Sequence, residues 1–212
     1  MDSRMRLSTR DWLADLIDLE GQLATWRSRL PASMQYSKRN LYEQLVVSQQ
    51  PGYVFIHTLY HQCRLVLHSS LIPQFSGLDC HQSVPLEATS VSARIALQSA
   101  QAISSIGADL LALDWDPIQA APFTGYCMYC SASIHIAVLG SKDETLKALA
   151  RTNLIPNLKI LKTMKVYWAN LERLVRSIAF NILLEGHTDI DSGYEFMYSM
   201  ALNPPGYSQW AV

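Results

Sequence analysis

The sequence is poor in charge. Only 17% of its 212 residues are Asp, Glu, Lys or Arg, against about 25% in an ordinary soluble domain, while 49% are hydrophobic. So little charge describes either a compact helical domain with most residues buried, or a piece of something larger with an apolar face meant to be covered. The formal net charge is −1 and the isoelectric point about 6.6. A chain that grips nucleic acid by itself normally carries a basic patch and a basic isoelectric point. Here the basic residues are scattered, and the densest group, Arg4 to Arg10, is short and interrupted. No direct nucleic-acid binding by this chain is expected.

Cysteine is also scarce, with four residues at positions 63, 80, 127 and 130. The N-terminal stretch MDSRMRLSTRDW is polar and has no apolar segment of the secretory kind. The expectation is therefore an intracellular, reducing setting with free thiols. No stretch approaches the roughly 18 apolar residues of a membrane span. The nearest, Cys127 to Leu139, is broken by Ser131, Ser133 and His135, so no membrane partner is expected.

Catalytic signatures are missing as well. There is no Gly-rich phosphate loop, no GxSxG elbow and no kinase signature. Asp114 with Asp116, and Asp189 with Asp191, could pair as acids or hold magnesium, but both pairs sit in turn-like sequence where Asp commonly caps the backbone. Cys127 and Cys130 form a lone CxxC. Structural zinc needs a second pair, and a thioredoxin-like site needs a βαβ setting. Inside a helix the two are adjacent small residues on one face. No enzyme and no cofactor are read from the residues.

What is present is helical periodicity. Residues 8–30 read as a helix opened by Ser8 with Asp11, a capping-box pattern. Trp12, Leu16, Leu19, Leu23, Trp26 and Leu30 form a short heptad-like seam, and Pro31 closes it. The seam is either a face docked on its own domain or a candidate partner-binding surface. Residues 38–48 read as a short helix around Leu41, Leu45 and Val46. The organising helix is 51–72, bounded by Pro51 and Pro73. On it Ile56, Leu59, Cys63, Val66 and Ser70 share one face, expected to be the core face. His57, His61, Arg64 and His68 form a stripe beside it, a candidate ligand or polar stripe. His57 and His61 have metal-ligand spacing, but Thr58 stands where a zincin needs Glu, and Arg64 would repel a cation. Packing histidines are the favoured reading, with no metal.

Residues 73–84 read as a loop, 85–113 as a long Ala- and Ser-rich helix, and DWDP at 114–117 as a break. Ile95, Ser99, Ala102, Ile106 and Leu110 share a face that admits a close neighbour. Residues 122–140 read as a buried helix capped by Gly140. Residues 142–151 and 154–184 read as two helical stretches separated or started by Pro156. In the second, Leu158, Leu161, Met164, Trp168, Leu171 and Val175 form the expected buried face. No alternating strand pattern occurs. The fold class is all-α, an irregular bundle of about six to seven helices, with residues 1–184 one helical domain and 185–212 a loosely structured tail.

These landmarks carry a resemblance. Trp26, Leu30 and Pro31 give W-x-x-x-LP. HTLYHQCRLVLH follows at 57–68, then SARIALQSAQAISSI, then the Pro-led PFTGYCMYCSASIHIAVL, then LKILKTMKVYWANLERLVRSI. In this order, over residues 9–184, they resemble the C-terminal part of the regulatory (middle homology) region of fungal binuclear zinc-cluster transcription factors. The resemblance implies transcription regulation in the nucleus. The family's six-cysteine DNA-binding cluster cannot be built from four scattered cysteines, and its Arg-rich segment with paired tryptophans, normally upstream of W-x-x-x-LP, is absent. It therefore implies a regulatory module without its own DNA-binding cluster, acting through protein contacts: with an upstream regulatory half, or by self-association. The alternatives are a helical domain that binds a small-molecule effector, and an enzyme on a borrowed helical scaffold.

Overall fold

A computed structural model describes residues 9–46, 50–76 and 84–184. The expected Ser8 cap, the Arg4–Arg10 cluster apart from the backbone of its last two residues, Cys80, the Asp189–Asp191 pair and the 185–212 tail lie outside the described residues. The fold is all-α: among the described residues every regular element is helical, with seven α-helices of nine residues or more. The chain divides into two compact units, residues 1–102 and 103–212, each taken by itself below.

The first unit holds α1 (Thr9–Ser28), a 3-10 turn (Ala32–Met34), α2 (Lys38–Val46), α3 (Gln50–Ser69), the single turn α4 (Pro73–Ser76) and the first part of α5 (Leu86–Ala112). Pro51 occupies the first turn of α3 as expected, where a missing N–H costs nothing. α1 and α2 both pack on α3. The buried face of α3 differs from the one expected. Tyr53, Val54, His57, Thr58, Leu65 and His68 are buried, whereas Cys63 is exposed and Val66 is 51% exposed. The side that the apolar count favoured thus faces outward, and the histidine side faces in. Apolarity alone misassigned it because the buried histidines and Thr58 are satisfied by hydrogen bonds, which removes most of the burial penalty.

The second unit holds the remainder of α5, a 3-10 turn (Pro117–Gln119), α6 (Pro122–Leu139), α7 (Glu144–Met164) and α8 (Ala169–Leu184). The DWDP break has a definite geometry. Asp114 takes a left-handed φ of 53°. Trp115 N–H donates to the Leu110 carbonyl and Asp114 N–H to that of Leu111, both at 3.2 Å, which is a Schellman closure of α5. Asp116 then caps the 3-10 turn, its Oδ1 accepting from Ile118 N–H at 3.0 Å. Both aspartates therefore serve the turn. Gly140 ends α6 in a right-handed conformation rather than the left-handed one a terminal glycine usually supplies.

Pro156 neither breaks nor starts a helix: α7 runs through it for 21 residues. An internal proline costs about 3 kcal/mol, and here tertiary burial offsets it, since Leu154, Pro156, Asn157 and Leu158 are all buried. Asp143 starts α7 by accepting from Thr145 and Leu146 N–H at 2.8 and 3.2 Å. The reversal comes at Lys165–Trp168, where Tyr167 and Trp168 N–H both donate to the Met164 carbonyl. Trp168, expected on the buried face, is 39% exposed as a result. Leu158, Leu161, Met164, Leu171 and Val175 are buried as expected.

α6 packs against both α7 and α8 and is apolar on most of its circumference, the signature of a core helix. Its approach to α8 is close. A Cβ at Gly125 would lie 2.5 Å from Leu171 Cδ1 and 3.3 Å from Met164 Sδ, whereas one at Gly21 in α1 would meet nothing within 4 Å. Alanine is favoured over glycine in a helix by about 1 kcal/mol, and overpacking a filled core costs about 1–3 kcal/mol. Denaturant unfolding should therefore show Gly125→Ala destabilised by about 1–2 kcal/mol and Gly21→Ala stabilised by up to about 1 kcal/mol.

Candidate functional site

The polar stripe of α3 is built inward. His57 Nε2 donates to the Met34 carbonyl at 3.0 Å, with the Tyr53 and Tyr36 rings edge-on at 4.6 and 5.2 Å. Tyr53 Oη donates to the Gln35 carbonyl at 2.8 Å and accepts from Ser37 N–H at 3.2 Å, tying the 35–37 connection to α3. One helical turn further, His61 is half-buried and meets the Tyr60 ring edge-on at 4.9 Å. Its Nδ1 has no hydrogen-bond partner among the described residues.

Arg64 Nε donates to both carboxylate oxygens of Glu20, at 2.8 and 3.1 Å, and its terminal nitrogen makes a further bond to Oε1. Only 16% of the Arg64 side chain is exposed. Burial disfavours the guanidinium's charge, but Glu20 outweighs it and leaves Arg64 shifted up. His68 sits behind this pair, Nδ1 against Ser92 Oγ at 3.1 Å and Nε2 against Glu20 Oε2 at 3.4 Å. Glu20 of α1, which the spacing of α3 could not disclose, is the counter-charge of Arg64 and a partner of His68, the second half of the stripe.

The α1 seam is divided. Leu16 is buried, Trp12, Leu23 and Leu30 are half-buried, Leu19 is 46% exposed and Trp26 is 40% exposed. Trp26 stacks on Tyr60 with 5.6 Å between centroids, and the Arg27 and Arg64 guanidiniums lie 5.4 and 5.9 Å from the same ring. Beside the seam runs a second face that the heptad pattern did not single out. Ile17, 70% exposed, borders an open groove continued by Gly21, Thr25 and Trp26, with Asp18 and Arg29 at its two ends.

In the second unit two of the three interruptions of the α6 apolar run, Ser131 and His135, converge on Ser104 of α5, while Ser133 donates to the Tyr129 carbonyl of its own helix at 3.1 Å. Ser131 and His135 Nε2 each lie 3.0 Å from Ser104 Oγ, and Asn157 Nδ2 donates to Ser104 and Ser131 at 3.0 and 2.9 Å. The four side chains are buried. A Ser–His pair in that position is closed to substrate and serves to register α5, α6 and α7. Cys127 is buried and Cys130 half-buried, and neither is in a disulfide. A hydrogen bond with Cys130 pushes the Tyr126 hydroxyl up to about 12. Among the described residues no group of three His, Cys, Asp or Glu side chains is arranged to hold a metal ion, and no helix is long and apolar enough to cross a membrane.

Burial depresses His57, His61 and His68. For His61, burial together with Arg27, Arg64 and His57 brings it down to about 3. Each of these imidazoles binds its proton more weakly folded than unfolded, so the unfolded chain takes up more protons below about 6.5 and stability falls with pH there. Thermal melts should show the melting temperature dropping from pH 7 to pH 5. His61→Gln should flatten that slope, while a slope unchanged in the variant would assign the acid sensitivity elsewhere.

No family model matches the chain, and no solved structure matches it. Curated relatives do. The chain is 28% identical over 167 residues to the Zn(2)-C6 fungal-type transcription factor FTF1c of Fusarium oxysporum f. sp. lycopersici, covering 78% of this chain and 16% of that protein. The corresponding figures for FTF2 of the same organism are 27%, 78% and 14%. An uncharacterized transcriptional regulatory protein, C530.11c of Schizosaccharomyces pombe, is 26% identical over 76% of this chain and 20% of its own length. The chain spans about one sixth of the length of the first of these relatives. Over most of its length, this all-α chain is a homologue of one segment of fungal Zn(2)-C6 transcription factors.

Proposed function

We propose that the chain is a regulatory module of fungal transcription control, working in the nucleus through protein contacts, with neither a DNA-binding cluster of its own nor catalysis. The observation that carries this reading is the similarity to transcription factors across 78% of the chain. The relatives' name specifies a cluster of six cysteines, whereas this sequence holds four, of which Cys63 is exposed and Cys127 buried on different helices. The near-neutral charge supports the same division, since phosphate binding is driven by cationic side chains that release counterions. The internal use of His57, Arg64 and His68 weighs against the effector-binding alternative, because these groups are already satisfied by Met34, Glu20 and Ser92.

The test has two parts. Fused to a heterologous DNA-binding domain in a fungal reporter strain, the full chain should change transcription of the reporter. An expressed, folded fusion that leaves the reporter unchanged would overturn the regulatory reading. The purified chain should show no salt-sensitive binding to duplex DNA. Micromolar binding at physiological salt that weakens steeply as salt is added would overturn the claim that it leaves DNA to others.

A further inference from the structure

We propose that the outer face of α1 binds a second copy of this chain, the two α1 helices lying antiparallel. The argument begins with the rotation of α1. Leu16 and Glu20 are turned to α3, so Ile17 and its neighbours one and two turns on face outward. Gly21 lies at the middle of this face, with no atom within 4 Å of where a Cβ would sit. A glycine there leaves a hollow into which a neighbouring helix can press closely. Trp26, a turn further along, is held on its inner side by Tyr60 and keeps 40% of its surface free. A rigid, half-exposed indole is the type of side chain that anchors an interface.

The order of residues along the face is self-complementary in one direction only. Place the two-fold between Leu23 and Ala24. Ile17 then meets the partner copy's Leu30, apolar on apolar. Asp18 meets Arg29, opposite charges. Gly21 meets Trp26, the hollow receiving the indole. Gln22 meets Thr25, polar on polar. The two-fold repeats each contact, as an isologous interface requires. A parallel pairing would instead set Asp18 on Asp18 and Trp26 on Trp26, which like-charge repulsion and bulk disfavour. Asp18 and Arg29 form no ion pair among the described residues; the carboxylate of Asp18 is held only by Gln22 Nε2 of its own helix, at 2.7 Å. Both charges are therefore free to exchange a local or solvent contact for one across the two-fold. One helix pair buries less than the roughly 1,200 Å² of a stable interface, so the dimer is weak and concentration-dependent. This inference rests on the reading of the chain as one that acts through protein contacts, and names the partner.

The experiment is sedimentation of the full 212-residue chain over a concentration series reaching about 0.5 mM. The wild type should pass from monomer to dimer. Asp18→Arg and Arg29→Asp, each alone, should raise the dissociation constant about tenfold or more, because each places like charges together twice. An equimolar mixture of the two variants should restore dimers of near wild-type strength, and so should the double substitution. Circular dichroism should show the same helix content and melting temperature in all of them, since both side chains are exposed. A wild type that stays monomeric throughout, a dimer that survives the single substitutions, or one that the mixture fails to restore would each overturn the antiparallel self-pairing. A monomeric chain that still shifts the reporter would sink the self-pairing and leave the regulatory reading intact. A dimeric chain that leaves the reporter silent would do the reverse.

Discussion

The first unit depends on the charge of Arg64. A guanidinium cannot give up its proton at any ordinary pH, and here only 16% of its side chain reaches solvent. An uncompensated charge in that position would cost several kcal/mol, so an anion has to come to it. Glu20 does, with a bidentate grip, and in doing so it fixes the rotation of α1 on α3. Leu16 then points inward, and Trp26 lands on Tyr60. Everything else on α1 follows from that one pairing, including which residues are left outside. The same carboxylate stands against His68, so a single anion on α1 organises half of the α3 stripe.

The second unit is arranged around a different constraint. α6 packs against both α7 and α8, and polar groups buried between helices cost less when they bond to one another. Ser131 and His135 do this with Ser104 and Asn157. The network joins three helices at one level, and a shift of any of them by a turn would leave hydroxyls and an amide unpaired in an apolar core. Gly107 and Gly125 permit the close approach that this register requires. A Cβ at the first would lie 3.1 Å from Ile160 Cδ1, and one at the second 2.5 Å from Leu171 Cδ1.

These two schemes bear on function through what they consume. His57 and His68 of the stripe and the buried Ser–His contact, which looked most like chemistry in this chain, are used to hold elements of the fold together. Among the described residues, the exposed surface includes an apolar and charged groove on α1 and the Val166–Trp168 reversal, where Tyr167 is 60% exposed.

Much of this was legible in the residues. The helical periods, Pro51 at the start of α3, the break at DWDP and the apolar run of α6 came from local rules of backbone geometry and capping, which act over a few residues and need no tertiary partner. The ordered run of degenerate motifs resembling the family was likewise a property of the string. Tertiary structure alone decided the rest. It chose the histidine side of α3 as the inward one, because hydrogen bonds of His57 to the Met34 carbonyl and of His68 to Glu20 and Ser92 make polar burial tolerable. It carried α7 through Pro156, because burial on both sides of the proline outweighs one lost hydrogen bond. It exposed Ile17 rather than Leu16, a choice made by Glu20 and Arg64 across 44 residues of sequence, a separation that helical periodicity cannot see.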